Sequence, residues 1–169
     1  LRPYLHRLDI IAPTLAVRRD GEGHFFVAGL QVDPSKTGDE DFSDWLLAQH
    51  RVVIRDAAIT WHDELRQAPP LSLQHLNFHL QNDGSRHRFG LTADPPPELA
   101  ARLDLRGDFE GQNLDQLDEW RGQVFAEMDY TDLAAWRQWL DYPLELSRGR
   151  GALRLWLNLA GDRLLGGTA

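Results

Sequence analysis

Between Leu71 and Phe109 the sequence writes one pattern three times: a short run in which every second residue is apolar and its neighbours are charged or amidic. Leu76, Phe78 and Leu80 alternate with Asn77, His79 and Gln81; Phe89, Leu91 and Ala93 with Arg88 and Thr92; Leu103, Leu105 and Phe109 with Arg102, Asp104, Arg106 and Asp108. Successive side chains of a pleated strand point to opposite faces, so each run carries one apolar and one polar face. That pattern specifies antiparallel sheet covered on a single side. It returns at Val124, Ala126, Met128 and Tyr130, and again at Leu153, Leu155, Leu157 and Leu159.

The segments between these runs act as punctuation. Leu8 to Val17 and Phe25 to Val32 read as two strands joined by the glycine-containing turn Arg18 to Gly23, and Asn82-Asp83-Gly84-Ser85 reads as a tight hairpin. Arg51 to Trp61 is a strand broken at Asp56-Ala57. Leu71, Leu73 and His75 share one parity, whereas Leu76, Phe78 and Leu80 share the other, which a β-bulge at His75-Leu76 would produce. The polar stretches Asp33 to Asp41 and Asn113 to Glu119 read as connections. Asp41 to Gln49 and Thr131 to Leu140 carry helical spacing, with Phe42, Trp45 and Leu46 on one face of the first and Trp136 and Trp139 on the second. The expected fold is therefore mainly β, an antiparallel sheet with two short helices packed on it. A weak internal repeat, residues 26–110 and 123–169, sets a strand, an Asp-led helix with Trp-Leu and two further strands in the same order in each copy.

A chain of 169 residues can bury a core without disulfides, and the lack of cysteine leaves either redox compartment open. A net charge of −8 opposes nucleic acid, whose affinity is built from cations neutralising phosphates. The chain does not begin with Met and ends in Gly-Gly-Thr-Ala after a strand-like run, so it reads as one fragment, residues 1–169, of a longer protein.

Residue constellations with chemistry are lacking. His75 and His79 have helical ligand spacing, but in a strand four residues span about 13 Å, too far for one metal ion. Trp61-His62-Asp63-Glu64 sets an imidazole beside two carboxylates at a polar turn, where burial sufficient for acid/base work is not expected. No serine lies in a Gly-x-Ser-x-Gly elbow, and Gly149-Arg150-Gly151 opens a strand rather than a phosphate-binding helix. The expectation is a non-enzyme with no catalytic residue, no metal and no cofactor. Trp45, Trp136 and Trp139 fit a role plugging a sheet edge or covering its open face.

From Trp45-Leu46-Leu47-Ala48-Gln49 through Arg51-Val52-Val53-Ile54-Arg55-Asp56-Ala57-Ala58-Ile59-Thr60-Trp61-His62-Asp63-Glu64, then Pro69-Pro70-Leu71-Ser72-Leu73 and Asn82-Asp83-Gly84-Ser85-Arg86-His87, the chain resembles the YhdP branch of the AsmA-like superfamily. Asp132-Leu133-Ala134-Ala135-Trp136 and Gly149-Arg150-Gly151-Ala152-Leu153-Arg154-Leu155-Trp156-Leu157 resemble the following segment of the same proteins. The likeness covers Phe26 to the end. It implies a curved β-groove in a large periplasmic protein of Gram-negative bacteria, anchored in the inner membrane, that carries phospholipid towards the outer membrane and supports its permeability barrier. The implied partners are phospholipid acyl chains and the rest of the parent chain.

An acyl chain leaving a bilayer needs a continuous apolar floor, each buried CH₂ being worth about 0.8 kcal/mol. Candidates for that floor are Leu76, Phe78, Leu80, Phe89, Leu91, Leu103, Leu105, Phe109, Leu153, Leu155 and Leu157. Two other functions compete. One is a non-catalytic scaffold with a closed β core that holds other envelope proteins. The other is a glycan-cleaving enzyme, which would need two carboxylates about 5 to 10 Å apart across a cleft.

Overall fold

The computed structural model describes residues 6–32, 47–112, 119–139, 149–161 and 163–168. They form one open 11-stranded sheet: β1 (Leu8–Ile11), β2 (Thr14–Arg19), β3 (Phe25–Val27), β4 (Leu30–Val32), β5 (Arg51–Asp63), β6 (Leu71–Asp83), β7 (Arg86–Asp94), β8 (Leu103–Glu110), β9 (Arg121–Asp132), β10 (Arg150–Ala160) and β11 (Arg163–Thr168). From β5 to β11 each strand pairs antiparallel with the next in sequence. The hairpin between β6 and β7 is as tight as expected, with Asp83 paired to Arg86 and Gly84 at φ 60°, the conformation glycine accepts without a Cβ clash.

Two expectations are corrected. The sheet is mixed, because β1 and β2 both run parallel to β5, β1 along Val52 to Arg55 and β2 along Ala58 to Asp63. The sequence pairs Leu8 to Val17 with Phe25 to Val32, and β2 does pair with β3, but its other edge is claimed by β5, far downstream, with Thr14 opposite Ala58 and Arg19 opposite Asp63. Among the described residues two packed helices are not found either. Residues 41–46 of the first lie outside the described residues, with Leu47 and Ala48 helical. The second is the single turn α1 (Leu133–Trp136), capped by the Asp132 carboxylate accepting from the Ala135 N–H at 3.1 Å. One turn leaves helix nucleation uncompensated, so α1 is held by what Trp136 and the following Trp139 touch.

Bulges steer the sheet. Ala12, Asp56 and His75 have φ of 51°, 53° and 47°, rare for residues with a Cβ. Asp56 lies within β5 and His75 within β6, where the pairing registers shift; Ala12, between β1 and β2, keeps the register of both strands with β5. The parity switch at His75-Leu76 is thus a bulge. Its effect is to bring Leu73 and Leu76 to the same side, where Leu73 packs with Ile54, Ile59, Phe78 and Leu91 around buried Leu76, Ala57 and Ala93.

Candidate functional site: an apolar sheet face with two unlike rims

The pairing registers line the apolar side chains into rows that cross β5 to β10. One row is Ile54, Phe78, Leu91, Leu105, Ala126 and Leu155. The next is Val52, Leu80, Phe89, Gly107, Val124 and Leu157. On either side run Ala93, Leu103, Met128 and Leu153, and His87, Phe109, Gly122 and Leu159. Rows two residues apart are separated by about 7 Å and strands by about 4.8 Å, so four rows over six strands make a face of about 20 by 24 Å.

All eleven floor candidates lie on this one face. Leu76 and Leu80 are buried, 3% and 7% exposed, in the packed part near β5. Phe78, Phe89, Leu91, Leu103, Leu105, Phe109, Leu153, Leu155 and Leu157 are half-buried, and no described element packs across them. Among the described residues the face is therefore closed at its β5–β6 end and open from β7 to β10. The floor also includes Val52, Ile54, Val124, Ala126 and Met128, which sequence reasoning left out although the alternation at Val124 to Met128 marked three of them.

Glycines flatten this floor. A Cβ on Gly107 would come within 2.1 Å of the Phe89 ring, and one on Gly122 within 2.5 Å of the Phe109 ring and 2.3 Å of the Asp108 carbonyl. Each phenylalanine thus lies down over the glycine on the adjacent strand, covering backbone that would otherwise be bare. The rings of Phe78, Phe89, Phe109 and Trp120 follow one another at 6.4, 6.2 and 6.4 Å between centroids, with Phe89 and Phe109 parallel within 4°.

The rim beside α1 is apolar and shut. Leu71, Leu99 and Trp139 are buried against Trp61, Ala68, Ala135 and Trp136. The Trp139 indole donates to the Pro69 carbonyl at 2.8 Å and the Trp136 indole to the Thr131 hydroxyl at 3.0 Å. These tryptophans plug a rim and leave most of the face uncovered. Past Trp61, the buried Asp63 carboxylate pairs with the Arg19 guanidinium, whose Nε lies 3.0 Å from Oδ1. Burial pushes the Asp63 carboxyl up, but hydrogen bonds from Arg19 and the Arg66 N–H and both positive charges pull it further down, leaving it below its ordinary value. Sequence reasoning took this aspartate for a solvated turn; the structure makes it half of a buried ion pair.

The opposite rim is polar. Asn82 and His87 are buried; Asn82 Nδ2 donates to the Gln49 carbonyl at 2.7 Å, its Oδ1 lies 2.7 Å from His87 Nδ1, and His87 Nε2 lies 3.1 Å from the Gly111 carbonyl. His87 also stacks on Trp120 at 5.0 Å. Burial lowers its pKa, and the Gly111 carbonyl offsets this only in part. On the polar face of the sheet, arginines and carboxylates pair: Arg154 with Glu127 and Arg106 with Asp104, each at 2.6 Å, and Arg150 with Asp132 at 2.8 Å. Among the described residues no three His, Cys, Asp or Glu side chains converge as a metal site.

With this geometry in view, comparison with protein families gives a match to the family described as YhdP protein, over residues 1–169. The chain belongs to the YhdP family. Neither the curated proteins nor the solved structures searched contain a match. The YhdP assignment agrees with the resemblance carried by the residues from Trp45 to His87, and it extends over the first strands as well. Among the described residues of this YhdP segment, no helix is long and apolar enough to cross a membrane.

Proposed function

We propose that this YhdP segment is a stretch of a periplasmic lipid conduit in the Gram-negative envelope, non-catalytic, whose half-buried sheet face seats phospholipid acyl chains in transit between inner and outer membrane. The observation that carries the reading is the open set of apolar rows from β7 to β10, continuous across strands and lacking a covering element among the described residues. The open part, four rows over the four strands β7 to β10, measures about 20 by 14 Å, at the lower end of the largest apolar patch that a soluble protein exposes, and such patches mark sites for apolar ligands or partners. The rows run along the stacking direction of the strands, so a chain lying on them would pass from strand to strand without meeting a charge. The ion-paired opposite face keeps the outside in water.

The test is photocrosslinking of the protein in a Gram-negative envelope with a photoreactive residue at Leu105, at Leu155 or, on the opposite face, at Arg88. Phospholipid adducts at Leu105 and Leu155 and none at Arg88 are expected. Equal labelling of both faces, or no lipid at the two leucines, would refute the conduit and favour the scaffold.

A further inference from the structure

The floor residues Val124, Ala126, Leu155 and Leu157 alternate with Phe125 and Trp156, which therefore stand on the other, polar face of the sheet. These two sit opposite each other on β9 and β10, with ring centroids 5.0 Å apart and planes at 49°. Behind Phe125 comes the Arg106 guanidinium, 5.5 Å from the ring centroid and itself tied to Asp104. Trp156 ends this stack and is 47% exposed. An indole braced on one side and open on the other is a rigid stacking surface, ordered before any ligand arrives.

Polar groups continue from the ring pair. Asn158 and Gln123, both exposed, face each other one step along β10 and β9. Beyond them a cavity of about 490 Å³ is lined by Arg86, Asp108, Glu110, Arg121 and Gln123, all of the polar parity of their strands. Two steps of about 7 Å lead from the ring pair to Arg121, so the surface is about 14 Å long. Arg106, Arg154 and Arg86 are each held by a carboxylate at 2.6 Å, those of Asp104, Glu127 and Asp108.

Guanidiniums engaged in this way leave little for a phosphate, and a net charge of −8 repels a polyanion. Two rings flanked by ion pairs are too small an apolar area for an acyl chain. A pyranose matches both halves of the surface. Its axial C–H face is apolar and stacks on an indole, while its hydroxyls lie at the ring edge, where amides and carboxylates can donate and accept. A side-chain amide also pairs with an acetamido group, donor to acceptor and acceptor to donor.

We propose that the polar face of β8 to β10 is a glycan-binding surface for an uncharged, N-acetylated pyranose oligosaccharide, with Trp156 as the stacking platform and Gln123 and Asn158 as the amide contacts. The site lies on the opposite side of the sheet from the acyl floor and stands independently of the conduit.

The experiment titrates the isotope-labelled chain with the β-1,4 tetramer of N-acetylglucosamine, and separately with the corresponding glucose tetramer, and reads Kd and the Trp156 indole N–H signal by NMR. Variants are Trp156→Ala, Trp156→Phe, Gln123→Ala and the distant, exposed Glu98→Gln, each shown to be folded by circular dichroism. The N-acetylated tetramer should shift the Trp156 indole signal and bind more tightly than the glucose tetramer. Trp156→Ala should weaken it about tenfold and Gln123→Ala about threefold, the scales of a lost stacking contact and a lost hydrogen bond. Trp156→Phe should stay within about threefold of the unaltered chain, and Glu98→Gln should match it. Absence of binding to the unaltered chain, or one affinity shared by Trp156→Ala, Gln123→Ala and the unaltered chain, overturns the glycan site. Equal affinity for the two tetramers overturns the amide contacts. A chain that ignores both glycans but forms a dimer abolished by Trp156→Ala overturns the proposal in favour of a contact between copies.

Discussion

Replacing Leu105 and Leu76 by aspartate separates an open floor from a closed core on the same sheet face. Leu76 is 3% exposed and packed among Ala57, Ala93, Leu73 and Phe78. Truncating a leucine of that kind costs about 2–5 kcal/mol before any charge is introduced, and a carboxylate without a partner adds several more. The sum is comparable with the whole stability of a domain, about 5–15 kcal/mol, so Leu76→Asp should not fold. Leu105 is half-buried, between Leu91 and Ala126 on the neighbouring strands. Full burial of leucine is worth about 1.5–3 kcal/mol, so half of it is about 1 kcal/mol, and the poorer strand propensity of aspartate adds up to about 1 more. A carboxylate there stays hydrated from the open side. The loss of about 2 kcal/mol lowers the melting temperature of a chain this size by about 4–8 °C. Thermal unfolding by circular dichroism reads both variants, and lipid co-purification reads the function. Leu105→Asp should melt as a folded protein and carry no lipid. If it is as unfolded as Leu76→Asp, the face from β7 to β10 is a sealed core and the argument from openness fails.

Other consequences follow from the same packing. Gly107→Ala forces the Phe89 ring off the sheet and should cost about 1–3 kcal/mol, whereas Gly122→Ala meets the Asp108 carbonyl and Phe109 Cα, which cannot swing aside, and should cost more; urea unfolding midpoints rank the two. Trp139→Phe removes the hydrogen bond to the Pro69 carbonyl and should cost about 1–3 kcal/mol, and Trp139→Ala, which opens the plugged rim, about 3–5 kcal/mol. The acid response should come in two stages. His87 is depressed below its ordinary 6.5, so the stability it contributes is complete above that pH and is lost as pH falls through the folded value; Asp63, depressed below 3.8, behaves the same way at lower pH. Stability measured against pH should lose the upper stage in His87→Gln, whereas Asp63→Asn should only reduce the lower one, which Asp20, Asp108 and Asp132 share, each variant starting from a lower stability; an unchanged upper stage in His87→Gln would refute the first assignment.

Local features of this fold were legible in the sequence because their cause is local. Period-two alternation at Leu76 to Leu80 and at Leu103 to Phe109 is a property of neighbouring residues, and the bulge showed itself as a change of parity between His75 and Leu76. The parallel pairing of β1 and β2 with β5 has no such trace, since nothing near Leu8 or Thr14 records a partner beyond residue 50. The spacing of Trp136 and Trp139 suggested a helix, but their indoles are fixed by Thr131 and Pro69, and that anchoring suffices with a single turn. The open floor was half visible. Its leucines and phenylalanines stood out, whereas Gly107 and Gly122 look like turn residues until register sets them under Phe89 and Phe109. Asp63 went unrecognised because its partner Arg19 lies 44 residues away.

The sequential order of β5 to β11 also governs how the chain assembles. Each of these strands needs only the one before it as a template, so loop-closure costs stay small and the sheet can grow like a zipper from any hairpin, with stability accumulating as nearest-neighbour increments. β1 and β2 are the exception. They must wait for β5, the strand on which both edges of the structure meet, and damage to β5 therefore severs the array where damage to β11 would only shorten it.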